Sequence, residues 1–157
     1  MQKITPFLWF DHQAEEAMNF YVSIFKNAKV LGINRYGKNA PMPEGTVLTA
    51  NFELNGLRFV ALNGGLIYKF SPATSFIVDC EDQAEVDYYW EKLGEGGKYN
   101  QCAWLDDKFG VTWQIVPKQL GQLLSDPDPA KAGRVMQAMI RMGKIDIAGL
   151  QHAADAA

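Results

Sequence analysis

Histidine and cysteine are scarce in this 157-residue chain: His12 and His152 are the only histidines, Cys80 and Cys102 the only cysteines. Two peripheral histidines cannot assemble a Ser-His-Asp arrangement. The two cysteines have neither the number nor the spacing of a disulfide framework or a zinc site, and read as reduced thiols. No apolar run approaches the roughly 18 residues of a membrane span. No stretch is dense in Lys and Arg, and the formal net charge is −3, so neither nucleic acid nor a membrane surface is an expected partner. The first residues, "MQKITPFLWFDH", hold one Lys ahead of a short strand-like run and no small-residue cleavage site. The cytoplasm is therefore the expected compartment, by default.

What the chain does have is repetition. "DHQAEEAMNFY" at 11–21 is echoed by "EDQAEVDYYW" at 81–90. In the first half, "ITPFLWF" (4–10) predicts a strand from its β-branched and aromatic residues. "QAEEAMNFYVSIF" (13–25) predicts a helix, with Ala14, Ala17, Met18, Tyr21, Ile24 and Phe25 at helical spacing. Glu15 and Glu16 lie in its first turn, where they suit the helix dipole. "KVLGINRYG" (29–37) reads as a strand with a glycine irregularity, and "KNAPMPEG" as a loop. Two alternating strands then flank Asn55-Gly56, the pair best suited to a type I′ hairpin turn.

The second half repeats the cycle. "TSFIVDC" (74–80) predicts a strand, "QAEVDYYWEKL" (83–93) a helix and "GEGG" (94–97) a break. "YNQCAWL" (99–105) and "VTWQIVP" (111–117) predict strands joined by the "DDKFG" turn. Phe20-Tyr21 aligns with Tyr88-Tyr89, and Gly56 with its seven following residues aligns with Gly110 and its seven. The fold class expected is α+β, built from tandem βαβββ modules at about 1–70 and 71–118. The tail, 119–157, has no counterpart and predicts a helical C-terminal extension. Asp128 is its N-cap and Pro129 its first helical residue, with Val135, Met136, Met139 and Ile140 on one apolar face.

The stretches "ITPFLWFDHQAEEAMNFYVSIF", "FVALNGG", "SFIVDCEDQAEVDYYWEKL" and "DKFGVTWQIVP" resemble the PhnB-like branch of the vicinal-oxygen-chelate superfamily. That superfamily includes glyoxalase I, bleomycin-resistance proteins and extradiol dioxygenases, and many members of the branch carry a 3-demethylubiquinone-9 3-methyltransferase-like label. "SDPDPAKAGRVMQAM" extends the resemblance into the tail. It implies a glyoxalase-like fold in which each module's strands curl into an open cup, and a homodimer with sites at its interface.

In metal-using relatives, four strands each supply a His or Glu-type ligand to one divalent ion that acts as a Lewis acid. Carried onto this sequence, the four ligand places fall on Thr5, Val60, Ser75 and Gln114. These offer neutral oxygens or none, where a catalytic divalent ion wants imidazole or carboxylate. No metal and no cofactor is expected. The methyltransferase label is not supported by motif either, because "NGG" and "GEGG" are not placed as the glycine-rich strand-to-helix turn of a Rossmann-like sheet.

Alternation along the strands puts Phe7, Trp9, Arg58, Val60, Ile77, Asp79, Thr112 and Gln114 on cup faces. Trp9 would offer a stacking platform or simply fill the cup. Arg58 would pair with a ligand carboxylate or phosphate, with Asp79, or with water. Gln114 would orient a ligand carbonyl. Cys102 is expected on the strand before the last hairpin, sharing a face with Trp104, but it lacks a base to activate it. Asp79 is the best acid–base candidate, provided an apolar surround raises its pKa. The ligand-binding set is thus Phe7, Trp9, Arg58, Asp79, Cys102, Trp104 and Gln114. Asp79 and Cys102 are the only candidates for catalysis, and whether the chain is an enzyme stays open. The expected function is metal-independent binding of a small organic ligand in an aromatic-lined cup, with catalysis on such a substrate as the alternative.

Overall fold

A computed structural model describes residues 1–156. The chain forms two compact units, Met1–Phe70 and Ser71 onward. The first runs β1 (Phe7–Phe10), α1 (Ala14–Ile24), β2 (Ala28–Arg35), β3 (Val47–Leu54) and β4 (Leu57–Asn63). The second repeats the order: β5 (Ser75–Cys80), α2 (Gln83–Gly94), β6 (Lys98–Tyr99), β7 (Trp104–Asp106) and β8 (Thr112–Pro117). Three helices follow, α3 (Lys118–Leu124), α4 (Pro129–Met139) and α5 (Ile147–Asp155).

The sheets share one topology. Their strand orders are β1-β4-β3-β2 and β5-β8-β7-β6. In each, the first and last strands of the module pair in parallel, and the remaining pairs are antiparallel. Phe7 lies opposite Val60 and Ile77 opposite Gln114, so the two modules share one register at these strands. This is the tandem α+β architecture that the internal repeat predicts.

Local chemistry explains the elements. Asn55 and Gly56 both adopt positive φ, 49° and 80°, as a type I′ turn requires. Gln13 makes no side-chain cap for α1. Asn63, at the end of β4, instead accepts from the Ala14 amide at 2.8 Å and donates to the Val47 carbonyl at 3.1 Å. One side chain thereby ties the helix start to two strands. α2 is capped locally: Asp82 accepts from the Glu85 amide, and Glu85 accepts from the Glu81 amide.

Each helix buries its apolar stripe against its own sheet. In the first unit Ala17, Met18 and Tyr21 are buried, and the Tyr21 ring stacks on Phe52 at 6.0 Å, which stacks in turn on Phe59 at 5.5 Å. In the second, Val86, Tyr89 and Leu93 are buried along with Leu105, Trp113 and Ile115. Each large side chain so buried is worth about 1.5–3 kcal/mol. No helix among the described residues is long and apolar enough to cross a membrane.

Two details differ from the sequence reading. The strand expected at 99–105 is split into β6 and β7, because Cys102 and Ala103 adopt left-handed φ values of 59° and 77°. Their amides donate to the carbonyls of Met142 and Gly143 at 2.8 and 2.9 Å. The tail, expected as one apolar-faced helix, forms three. Asp128 does cap α4, accepting from the Ala130 amide at 3.0 Å, with Pro129 first. Only Val135 of the expected face is fully buried, however, and Met136 and Ile140 are exposed. The stripe that packs is Val135, Ala138 and Met139, joined by Met142, against Leu120, Ile145, Leu150 and Ala154.

Candidate functional site

Each sheet has one face covered by its helix and one face left open, and strand alternation decides which side chains line the open face. In the first unit, Leu8 and Phe10 go under α1. Phe7 is left 58% exposed, and Trp9 half-buried. Register then aligns three rows across the open face: Trp9–Leu62–Thr49–Asn34, Phe7–Val60–Asn51–Gly32, and Arg58–Glu53–Lys29. Phe7, Trp9 and Arg58 therefore share one surface.

Trp9 is fixed by its surroundings. Its indole N–H donates to the Gly65 carbonyl at 2.9 Å, and its ring meets Tyr68 edge-on at 5.0 Å. A Cβ added at Gly64 would come within 2.3 Å of the indole, so only glycine lets the backbone pass beneath the ring. Arg58 is held by its peptide group: Gln2 accepts from its amide at 2.9 Å and donates to its carbonyl at 3.0 Å. The guanidinium reaches the Asn51 side-chain oxygen at a long 3.5 Å. Glu53, directly opposite, pairs instead with Lys29 at 3.7 Å.

Beside Arg58 lies a hollow of about 420 Å³, lined by Leu31, Gly32, Ile33, Asn34, Asn51 and Arg58. It opens where the β2–β3 register shifts between Val30 and Gly32, and a Cβ built at Gly32 meets nothing within 4 Å. The sequence reading placed an irregularity at this glycine but did not reach Asn34 or Asn51. Their only signal is polarity at alternate positions of strands otherwise rich in apolar residues.

The open face of the second sheet is differently furnished. Ile77–Gln114–Trp104 and Ser75–Thr112–Asp106–Lys98 form its rows, with Asp79 opposite Val116. Gln114 donates to the Ser75 hydroxyl at 2.8 Å, and Thr112 to Asp106 at 2.7 Å. Asp79 is exposed, so it lacks the apolar surround that an acid–base role asks for. Cys102 sits in the left-handed turn, off the strand that carries Trp104, which corrects its expected place on that face. Cys80 lies in the core. Burial pushes its thiol up to about 12, with Glu85, Asp79 and Asp82 adding to the shift.

The "DDKFG" turn holds a buried carboxylate. Asp107, 3% exposed, accepts from the Trp113 indole at 2.9 Å and from the amides of Phe109 and Val111 at 2.9 and 3.0 Å. These donors belong to the β7–β8 turn and to β8, so the carboxylate staples the turn to its strand.

The four places that resemblance assigns to metal ligands do not suit a divalent ion. Val60 has no donor atom, and Ser75 and Gln114 are hydrogen-bonded to each other. Thr5 adds only a neutral hydroxyl, a poor ligand for such ions. Among the described residues, no three His, Cys, Asp or Glu side chains are grouped closely enough to hold a metal.

Comparison with known proteins agrees with this architecture. The model of the family described as 3-demethylubiquinone-9 3-methyltransferase matches residues 2–116. That match stops short of the tail, into which the resemblance of "SDPDPAKAGRVMQAM" extends. A PhnB protein from Bacillus cereus, named for the same methyltransferase, is 41% identical, with 74% of this chain and 99% of that chain covered and a TM-score of 0.68. Protein PA1353 from Pseudomonas aeruginosa is 20% identical, with 74% and 98% covered and a TM-score of 0.62. The fosfomycin resistance protein FosX from Listeria monocytogenes is 15% identical, with 80% and 98% covered and a TM-score of 0.57. At such identities the last two show a common fold alone. A search of curated proteins gives no match. On the family match and the Bacillus relative together, the chain belongs to the 3-demethylubiquinone-9 3-methyltransferase (PhnB-like) family, within the glyoxalase-like fold.

Proposed function

We propose that this protein binds a small, partly aromatic organic molecule without a metal ion, using the open sheet faces of its modules. Phe7, Trp9 and Arg58 on the first sheet, and Asp79, Trp104 and Gln114 on the second, are the residues assigned to that role; Cys102, in its turn off β7, is not. The observation that carries the reading is the first sheet's open face, where Phe7 and the immobilised Trp9 share a surface with a cation and a hollow. Apolar lining with a few placed polar groups is the ordinary make-up of a ligand site.

Two features argue against the chemistry that the family name suggests. Neither sheet is a parallel, doubly wound one, and β1 leads into α1 through "DHQ", without glycine. A nucleotide-type cofactor normally sits at a glycine-rich turn in that position. Asp79 is exposed, and Cys102 has no histidine beside it in the sequence, so catalysis has less support than binding. A homodimer in the cytoplasm belongs to the same reading. Phe7 and Ile77, each 58% exposed, are the kind of apolar surface that a second copy covers.

The test is a thermal-shift screen of metal-stripped protein against divalent ions and a panel of aromatic and quinone-like metabolites. A ligand that binds only the native state raises Tm by mass action. Stabilisation by an organic compound in chelator supports the reading, and stabilisation that needs an ion overturns it. Light scattering across a concentration series tests the dimer.

A further inference from the structure

We infer that the hollow on the first sheet, between the β2 bulge and Arg58, is a carboxylate subsite, so that the ligand is an organic acid with an apolar body. This rests on the binding function proposed above and narrows it to one ligand class.

The argument begins with the difference between two copies of one scaffold. Register makes Glu53–Arg58 of the first module equivalent to Asp106–Thr112 of the second, and Asn51 equivalent to Trp104. In the second module the pair is closed on itself. Thr112, 1% exposed, donates to Asp106, and an indole fills the neighbouring place. In the first module the same places hold a long cation and a small amide, and the space the indole occupies elsewhere is open. The bulge at Val30–Gly32 widens it, and Gly32 adds no side chain. Bulges beside functional sites commonly re-aim a strand in this way.

Charge on this face favours an anion. Lys29 and Arg58 bring two positive charges and Glu53 one negative, and that carboxylate is turned to Lys29. The Arg58 guanidinium has five N–H donors, and among the described residues it makes one hydrogen bond, to Asn51, 3.5 Å long. A planar guanidinium with free donors matches a carboxylate in two parallel bonds. Asn51 brings amide donors to the same hollow, and Asn34 one more beside the bond its side-chain amide gives the Thr49 hydroxyl at 2.9 Å. From there the same row runs through the buried Val60 to the exposed ring of Phe7, on which an apolar body can lie.

The experiment uses the full chain and two matched pairs of probes: benzoate with benzamide, and 2-naphthoate with 2-naphthamide. Affinities are measured by calorimetry at fixed low salt for the wild type, Arg58→Gln, Arg58→Lys and Gly32→Leu. Both sites face open space, so folding is checked by Tm and is not expected to suffer. The acids should bind about tenfold or more tightly than their amides, the scale of a charge-assisted pair. Arg58→Gln should erase that ratio, Arg58→Lys should restore part of it, and Gly32→Leu should weaken acids and amides alike. Equal binding of acids and amides, or a preference that survives Arg58→Gln, overturns the carboxylate subsite while leaving an organic ligand in place. Absence of binding by either acid up to millimolar concentration also overturns it. The thermal-shift screen then decides the broader reading separately.

Discussion

Gln114 donates its side-chain amide to the Ser75 hydroxyl at 2.8 Å, across the parallel pair β5–β8. These are two of the four places where metal-using relatives would present ligands, and here they satisfy each other. Gln114→Ala would leave the half-buried Ser75 hydroxyl without this partner and should cost about 1 kcal/mol. The same variant should show no change in its response to zinc, magnesium or manganese, because the wild type is expected to show none. Urea titration with and without EDTA checks both halves. A metal-dependent midpoint in the wild type would contradict the donor-set argument.

Trp9 and Gly64 form a second dependent pair. A methyl at Gly64 would overlap three atoms of the indole, the nearest at 2.3 Å, and that ring is tied to Gly65 by its N–H. Gly64→Ala should therefore destabilise by about 2 kcal/mol, the usual scale of forced overpacking. Trp9→Phe shortens the ring at that contact. The double variant should lose clearly less than the sum of the single losses, as expected of residues in direct contact. Additive losses would mean that the loop bends away and the contact is not shared.

The parts of the fold legible in the sequence were those written in period and turn chemistry. The helical spacing from Ala14 to Ile24 and the Asn55-Gly56 pair each determine local geometry with little help from elsewhere. The cup-face assignment of Phe7, Trp9 and Arg58 followed from the same alternation, since a period of two leaves only one choice once Leu8 and Phe10 go under a helix. What was not legible depended on distant partners. Cys102 and Ala103 leave the extended region because their amides bond to Met142 and Gly143, about forty residues on. Asn63 caps a helix that begins forty-nine residues earlier. The hollow needs the β2–β3 register before Gly32 and Asn51 can be seen to face each other, and neither residue type announces a site.

Asp107 should prove the most sensitive side chain of the second module. It is buried and accepts three hydrogen bonds, including that of the Trp113 indole. Asp107→Ala strands these donors in the core and should cost about 3 kcal/mol or more. Asp107→Asn keeps one carbonyl oxygen but sets an amide N–H₂ among donors, and should recover only part of the loss. Differential calorimetry of both variants ranks them. An alanine variant within about 0.5 kcal/mol of wild type, the usual scatter of surface changes, would show that the turn is held without the carboxylate.

The two cysteines should behave oppositely toward alkylation. Cys80 is 1% exposed, and burial raises its thiol from 9.0 to about 12, so the thiolate that reacts is scarce in the folded protein. Cys102 is only partly buried, in its turn. Native protein treated with iodoacetamide at pH 8 should carry one adduct, on Cys102, and protein in denaturant should carry two. The same shift has a consequence for stability. Below pH 9 the thiol is protonated in both states and the contribution is constant. Above it the unfolded chain releases a proton that the folded chain retains, so stability falls as pH rises towards about 12. Cys80→Ala should flatten that part of the urea-midpoint profile between pH 9 and 10.5. Rapid native labelling of Cys80, or an unaltered slope in Cys80→Ala, would place that thiol outside the core the α2 stripe encloses.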